Sequence, residues 1–186
     1  MAQPKAEAPL HGKAIATAKQ QMSAHTEDMR ALMLTLYEQN PGELAKSTQV
    51  GAREMTEWVF DGKANWKFDG IRGQQRMQAI ELIFEPDFTG DHILALVVGI
   101  ETLLFNAYDS TNEFDIPVSQ DVQKHKQARC ELQGLMSKIT THSPPTKPLS
   151  ILTQASGSQE IQHTLRKIIS RMSANDGKKS EQDCQF

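Results

Sequence analysis

The sequence predicts an all-α protein, an irregular bundle of five or six helices around a central buried helix at about residues 91–108. Three observations carry that prediction. The stretch Gly90 to Tyr108 holds the longest apolar run in the chain, and Ile93 to Ile100 is apolar all round, as in a helix covered by protein on most sides. Several flanking segments repeat apolar residues at helical spacing. No long alternating Val/Ile/Thr run bounded by turn signals predicts a strand. Eight methionines against two tryptophans and two tyrosines also suit a plastic helical core.

Residues 1–12 read as a polar, Pro/Ala-rich leader. The pattern from Lys13 to Gln39 is helical: Ile15, Met22, Met29 and Leu36 lie seven apart, with Ala18, His25 and Leu32 interleaved. Asn40-Pro41-Gly42 ends it, and Pro41 can open a short turn through Ala45. Ser47 and Thr48 offer caps for a helix ending near Phe60, with Met55, Trp58 and Val59 apolar. Ala64 to Phe68 is irregular. A helix is expected from about Gly73 to Phe84, ended by Glu85-Pro86.

Asp91 suits the start of the central helix as a cap. That run is too short for a membrane span of roughly 20 apolar residues, and Glu101 interrupts it. Pro117 or Ser119 is expected to open a helix to about Ile139. Residues 140–148 are a Pro-rich linker. The last helix is expected from Ser158 to Met172, with Ile161, Leu165, Ile168, Ile169 and Met172 on one face and a polar tail over 173–186. Residues 13–172 therefore read as one domain, a length that buries a core without metals.

The formal charge of −3 is small and of mixed sign, which gives no nucleic-acid footprint. There is no P-loop, G-x-G-x-x-G, H-E-x-x-H, C-x-x-C or G-x-S-x-G motif. No catalytic residue and no cofactor is predicted. The leader reads as the start of a mature exported protein whose signal peptide has been removed, or equally as the loose N-terminus of a cytosolic protein. Cys130 and Cys184 admit one disulfide in an oxidising compartment, or two separate thiols.

Three motifs have a specific likeness. The NP-x-EL turn (Asn40 to Leu44), the W-x-F-D-G-I-R-G stretch (Trp66 to Gly73) and the GD-x-I-x-AL-V-x-G-I helix (Gly90 to Ile100) resemble a family of small proteobacterial envelope proteins. Its members are labelled hypothetical proteins or lipoproteins. The resemblance spans about residues 37–172 and implies export to the periplasm of a Gram-negative bacterium, or secretion, with envelope association. It implies no activity. The chain lacks the lipobox cysteine of the lipoprotein pattern near its start.

Several side chains are candidates for a functional role. Met22, His25 and Met29, with Ile15 before and Met33 after them, form a helical seam for packing or pairing with another chain. Their thioethers and imidazole also suit Cu(I), though one helix seldom closes a metal site alone. Asp91 and His92 read as a cap and a surface histidine, or as acid–base groups if Asp69 and Asp87 converge on them. Glu101 needs a partner or an exposed strip. Arg72 or Arg76, at the start of a preceding helix expected to pack antiparallel, is the candidate partner. Trp58, Trp66, Phe68, Phe84 and Phe88 either seal the base of the core or line a small apolar pocket. These readings predict a non-enzymatic exported protein acting through contacts with a protein partner or with itself. The alternative is a carrier of a small apolar ligand or lipid.

Overall fold

The structure is a computed structural model that describes residues 10–62, 64–117, 120–141, 155–176 and Cys184, with the backbone alone for residues 10–17, 155–156 and 175–176. Among the described residues the fold is all-α, with seven α-helices and one 3-10 turn. The helices are α1 (Leu10–Gln39), α2 (Pro41–Ser47), α3 (Ala52–Asp61), α4 (Arg76–Leu82), α5 (His92–Ala107), α6 (Val122–Thr141) and α7 (Ala155–Asp176). The 3-10 turn is Asp69–Ile71, between α3 and α4. None of the described helices is long and apolar enough to cross a membrane.

The central helix is α5. Fifteen of its residues are buried, Ile93 to Phe105 without a break, so its all-round apolar run is covered as expected. It packs against α1, α2, α4 and α6, while α7 packs on α1 and α6. The helix α3 packs chiefly on α1 rather than on the central helix. Gly99 sets the closest approach: a Cβ there would lie 2.5 Å from Ile80 Cγ1 and 2.9 Å from the Arg76 carbonyl oxygen. Only hydrogen at that position lets α4 lie against α5.

Several boundaries move. Seven helices replace the expected five or six because the turn at Pro41 is a helix of its own, with proline in its first turn. Ser47 ends that helix instead of opening the next, and Gly51 precedes α3. The fourth helix is shorter than 73–84, since Arg72 and Gly73 both take left-handed backbone at φ 58° and 64°. The helix α6 starts at Val122, after the loop. Ser158 lies inside α7 and does not cap it. The leader up to residue 9 lies outside the described residues, as do residues 142–154, which take in most of the linker.

The seam on α1 is filled by this chain itself. Met22, His25 and Met29 are buried, together with Ala18, Leu32, Met33 and Leu36. The expectation that Met22, His25 and Met29 present a surface for another chain is therefore corrected. Heptad spacing marks an apolar stripe but does not say whose helices cover it, and here α5 and α7 pack on α1. The side chain of Ile15 lies outside the described residues.

Candidate functional site: an apolar cleft beside the start of the central helix

The start of α5 is held by buried polar groups. Asp91 caps it, its Oδ1 accepting from the Leu94 backbone N–H at 3.0 Å. Its Oδ2 accepts from the Tyr37 hydroxyl and the Ser47 hydroxyl, each at 2.6 Å. Burial raises the Asp91 carboxyl above the ordinary range, against the stabilising bonds from Ser47, Tyr37 and Leu94. Burial, and the Asp91 charge beside it, also push the Tyr37 hydroxyl far up.

Glu43 completes the cluster. Its Oε2 accepts from the His92 backbone N–H at 2.8 Å and lies 3.1 Å from His92 Nδ1. Its Oε1 accepts from Lys46 Nζ at 2.8 Å. His92 is thus a buried residue tied to Glu43, and the expectation of a surface histidine is corrected. The acid–base alternative also loses its geometry: Asp69 and Asp87 are exposed, and neither is bonded to His92.

Next to this cluster is a cleft of about 570 Å³. Its floor is Met55 and Val59 of α3 with Leu94 of α5, and its walls are Trp58 and Phe68. Lys46, Ser47, Thr89 and Asp91 form one end, and Asp69 another edge. The cleft follows from the packing. Because α3 leans on α1, a gap remains between it and the start of α5. A pocket of this size, mostly apolar with a few convergent polar groups, is the usual form of a small-molecule site.

The five predicted aromatics separate. Trp58 is 66% exposed and Phe68 half-buried, and these two line the cleft. Trp66 is instead a core residue, stacked edge-on with Phe60 at 5.1 Å and Phe105 at 5.7 Å. It floors a second, more polar hollow of about 610 Å³. Much of that hollow's polar lining is already engaged: Gln75 donates to the Trp66 carbonyl and Thr102 Oγ1 accepts from the Arg76 backbone N–H. Phe88 packs edge-on with His92, and Phe84 lies under Lys138.

Glu101 corrects the predicted pair with Arg72 or Arg76. Arg72 reaches Glu85, and Arg76 lines the second hollow. Glu101 is fully buried and accepts from the Thr26 hydroxyl of α1. Two residues along a helix turn the direction by about 200°. Gly99 faces α4, so Glu101 faces away from the two arginines. Burial raises its carboxyl from 4.5 to about 8, and its Oε2 has no hydrogen-bond partner among the described residues.

His25 lies inside the bundle with both nitrogens engaged. The Tyr108 hydroxyl donates to Gln21 Oε1 at 2.7 Å, so the 3.0 Å contact from His25 Nε2 must be a donation to Tyr108. His25 Nδ1 then accepts from Arg171 at 2.8 Å. Burial, then the Arg171 charge, lower the imidazole to about 3. A fully bonded imidazole has no lone pair for a metal, so Cu(I) binding at Met22, His25 and Met29 does not fit. Among the described residues no cluster of histidine, cysteine and acidic side chains is arranged to hold a metal.

Cys130 of α6 and Cys184 form a disulfide, with Cα atoms 5.4 Å apart. The tail beyond α7 is thereby tied to α6 at Cys184.

Comparison with family models, with curated proteins and with solved structures finds no match. The buried groups Glu43, Tyr37 and Tyr108 were not singled out from the sequence. The only signal for Glu43 was its place shortly after Pro41 in the NP-x-EL motif.

Proposed function

We propose that this chain is an exported, non-enzymatic binding protein that takes a small, largely apolar molecule into the cleft between α3 and the start of α5. The cleft carries this reading. It combines an apolar floor of Met55, Val59 and Leu94 with Trp58 and Phe68 at its sides and polar groups at its edges. The state of the titratable groups supports binding over catalysis. His25, His92, Asp91 and Glu43 are bonded to one another or to the core, and neither ring nitrogen of His25 is left to move a proton.

Export is supported by the Cys130–Cys184 disulfide, since such bonds persist in oxidising compartments. It agrees with the resemblance to proteobacterial envelope proteins, and we place the chain in that family on the motifs from Asn40 to Ile100. Native mass spectrometry of protein isolated from its natural source tests the proposal. A non-protein mass retained on the folded chain is expected, and a chain of bare mass contradicts it.

One observation favours the protein-contact reading as a second. Trp58 of α3 and Val50 just before it are exposed, at 66% and 39%, and line one hollow together. Co-purification of a stoichiometric protein partner, lost in Trp58→Ala, with no small ligand bound, is the outcome that selects it.

A further inference from the structure

We infer that the ligand of the α3–α5 cleft is an amphiphile with a cationic head, seated with its apolar body in the cleft and its head over Trp58. This rests on the cleft reading and adds the chemistry of the head group. The first observation is that Trp58 is an aromatic face without an occupant. Elsewhere the fold places its own cations over such faces: Arg30 over Phe60 at 5.1 Å, Arg72 over Phe88 at 5.7 Å and Lys138 over Phe84 at 4.2 Å. Trp58, the more exposed ring and the better cation binder by residue type, has no such partner among the described residues.

The second observation is the charge around that ring. A shallow hollow of about 470 Å³ on the outer side of Trp58 is lined by Glu54, Glu57 and Asp61, with Val50. Trp58 and Gly62 border both this hollow and the apolar cleft, so the two meet at the ring. Glu54 lies one helical turn before Trp58 and Asp61 nearly one turn after, which puts both on its face of α3. Asp61 is engaged by Arg30, whereas Glu54 and Glu57 make no ion pair with the described residues. Asp69 adds a further acid on the cleft side. Among the described residues the one cation lining either space is Lys46, and Glu43 neutralises it at 2.8 Å. An anionic head would meet repulsion here. A cation gains both the ring and the carboxylates.

Calorimetric titration with decyltrimethylammonium, decanol and decanoate tests this, all below micelle formation. The three share one alkyl chain and differ in the head. The cation is expected to bind about tenfold tighter than the alcohol, and the carboxylate weakest. The double variant Glu54→Gln/Glu57→Gln is expected to reduce the advantage of the cation, leaving the share due to the ring, and to leave decanol unchanged; an undiminished advantage would contradict the role of these carboxylates. Both changes are on exposed side chains, and far-ultraviolet circular dichroism checks that the fold is kept. If decanoate or decanol binds as tightly as the cation, the head-group inference fails while the cleft reading stands. If none of the three binds, both fail.

Discussion

The Thr26 hydroxyl of α1 donates to Glu101 of α5 inside the core, and that single bond is what the fold provides for a fully buried carboxyl. One hydrogen bond does not match the hydration lost, so the group holds its proton up to about pH 8. Because the folded state binds this proton more tightly than the unfolded chain, the contribution to stability is greatest below pH 4.5. It declines as pH rises to about 8 and is flat beyond. Glu101→Gln keeps the shape and the acceptor for Thr26. It is expected to stabilise the protein above pH 8 by a few kcal/mol, on the order set by about 1.4 per pKa unit, and to have little effect near pH 4.5. Urea unfolding of both proteins across that range checks it, and an unchanged difference at all pH values contradicts it.

His25 shows the opposite sign. Its imidazole is lowered from 6.5 to about 3, so the unfolded chain takes up a proton first and stability is lost as pH falls from 6.5 towards 3. Two-dimensional nitrogen–proton spectra of the histidine rings are expected to show the Nε2–H tautomer, which donates to Tyr108. They are expected to show no titration of that ring near pH 6.5. The Nδ1–H tautomer would contradict the arrangement with Arg171.

Gly99 allows the contact between α4 and α5. Gly99→Ala improves helix propensity by up to about 1 kcal/mol. The new methyl would meet the Ile80 backbone nitrogen at 3.0 Å and the Arg76 carbonyl oxygen at 2.9 Å, and backbone does not give way as a side-chain tip does. The overpacking term is therefore expected to win, with a net loss of about 1–3 kcal/mol in chemical denaturation. A neutral or stabilising result would mean that the two helices sit further apart.

Much of the fold was legible because apolar periodicity is a local property. The central helix runs His92–Ala107 with Asp91 as its cap, close to the expected span. In the last helix Ile161, Leu165, Ile168 and Met172 are fully buried, as their spacing predicts. What the sequence left unread was azimuth and partnership. Nothing local says that Glu101 turns to Thr26 and away from Arg76, or that Met22 and Met29 are covered by the chain's own helices. The aromatics show the same limit. Their places around the turns before the central helix grouped Trp58 with Trp66, and only the lean of α3 on α1 puts one in solvent beside a cleft and the other in the core.

The disulfide closes a separation of 54 residues that includes the whole of α7. On the chain-entropy account a loop of that length stabilises by about 4 kcal/mol. Cys184→Ser is expected to lower the melting temperature and to speed amide exchange in α7 more than in α5. Equal exchange in α7 with and without the bond would show that helix packing alone holds it.

The most direct test of the binding account is nitrogen–proton correlation spectroscopy of the labelled protein titrated with decanol, whose neutral head leaves the charge question aside. The account predicts saturable shifts concentrated at Met55, Trp58, Val59, Phe68 and Leu94, together with a shift of the Trp58 indole N–H and a still Trp66 indole. Shifts gathered around Trp66 and Asn106, or none at all, would contradict it.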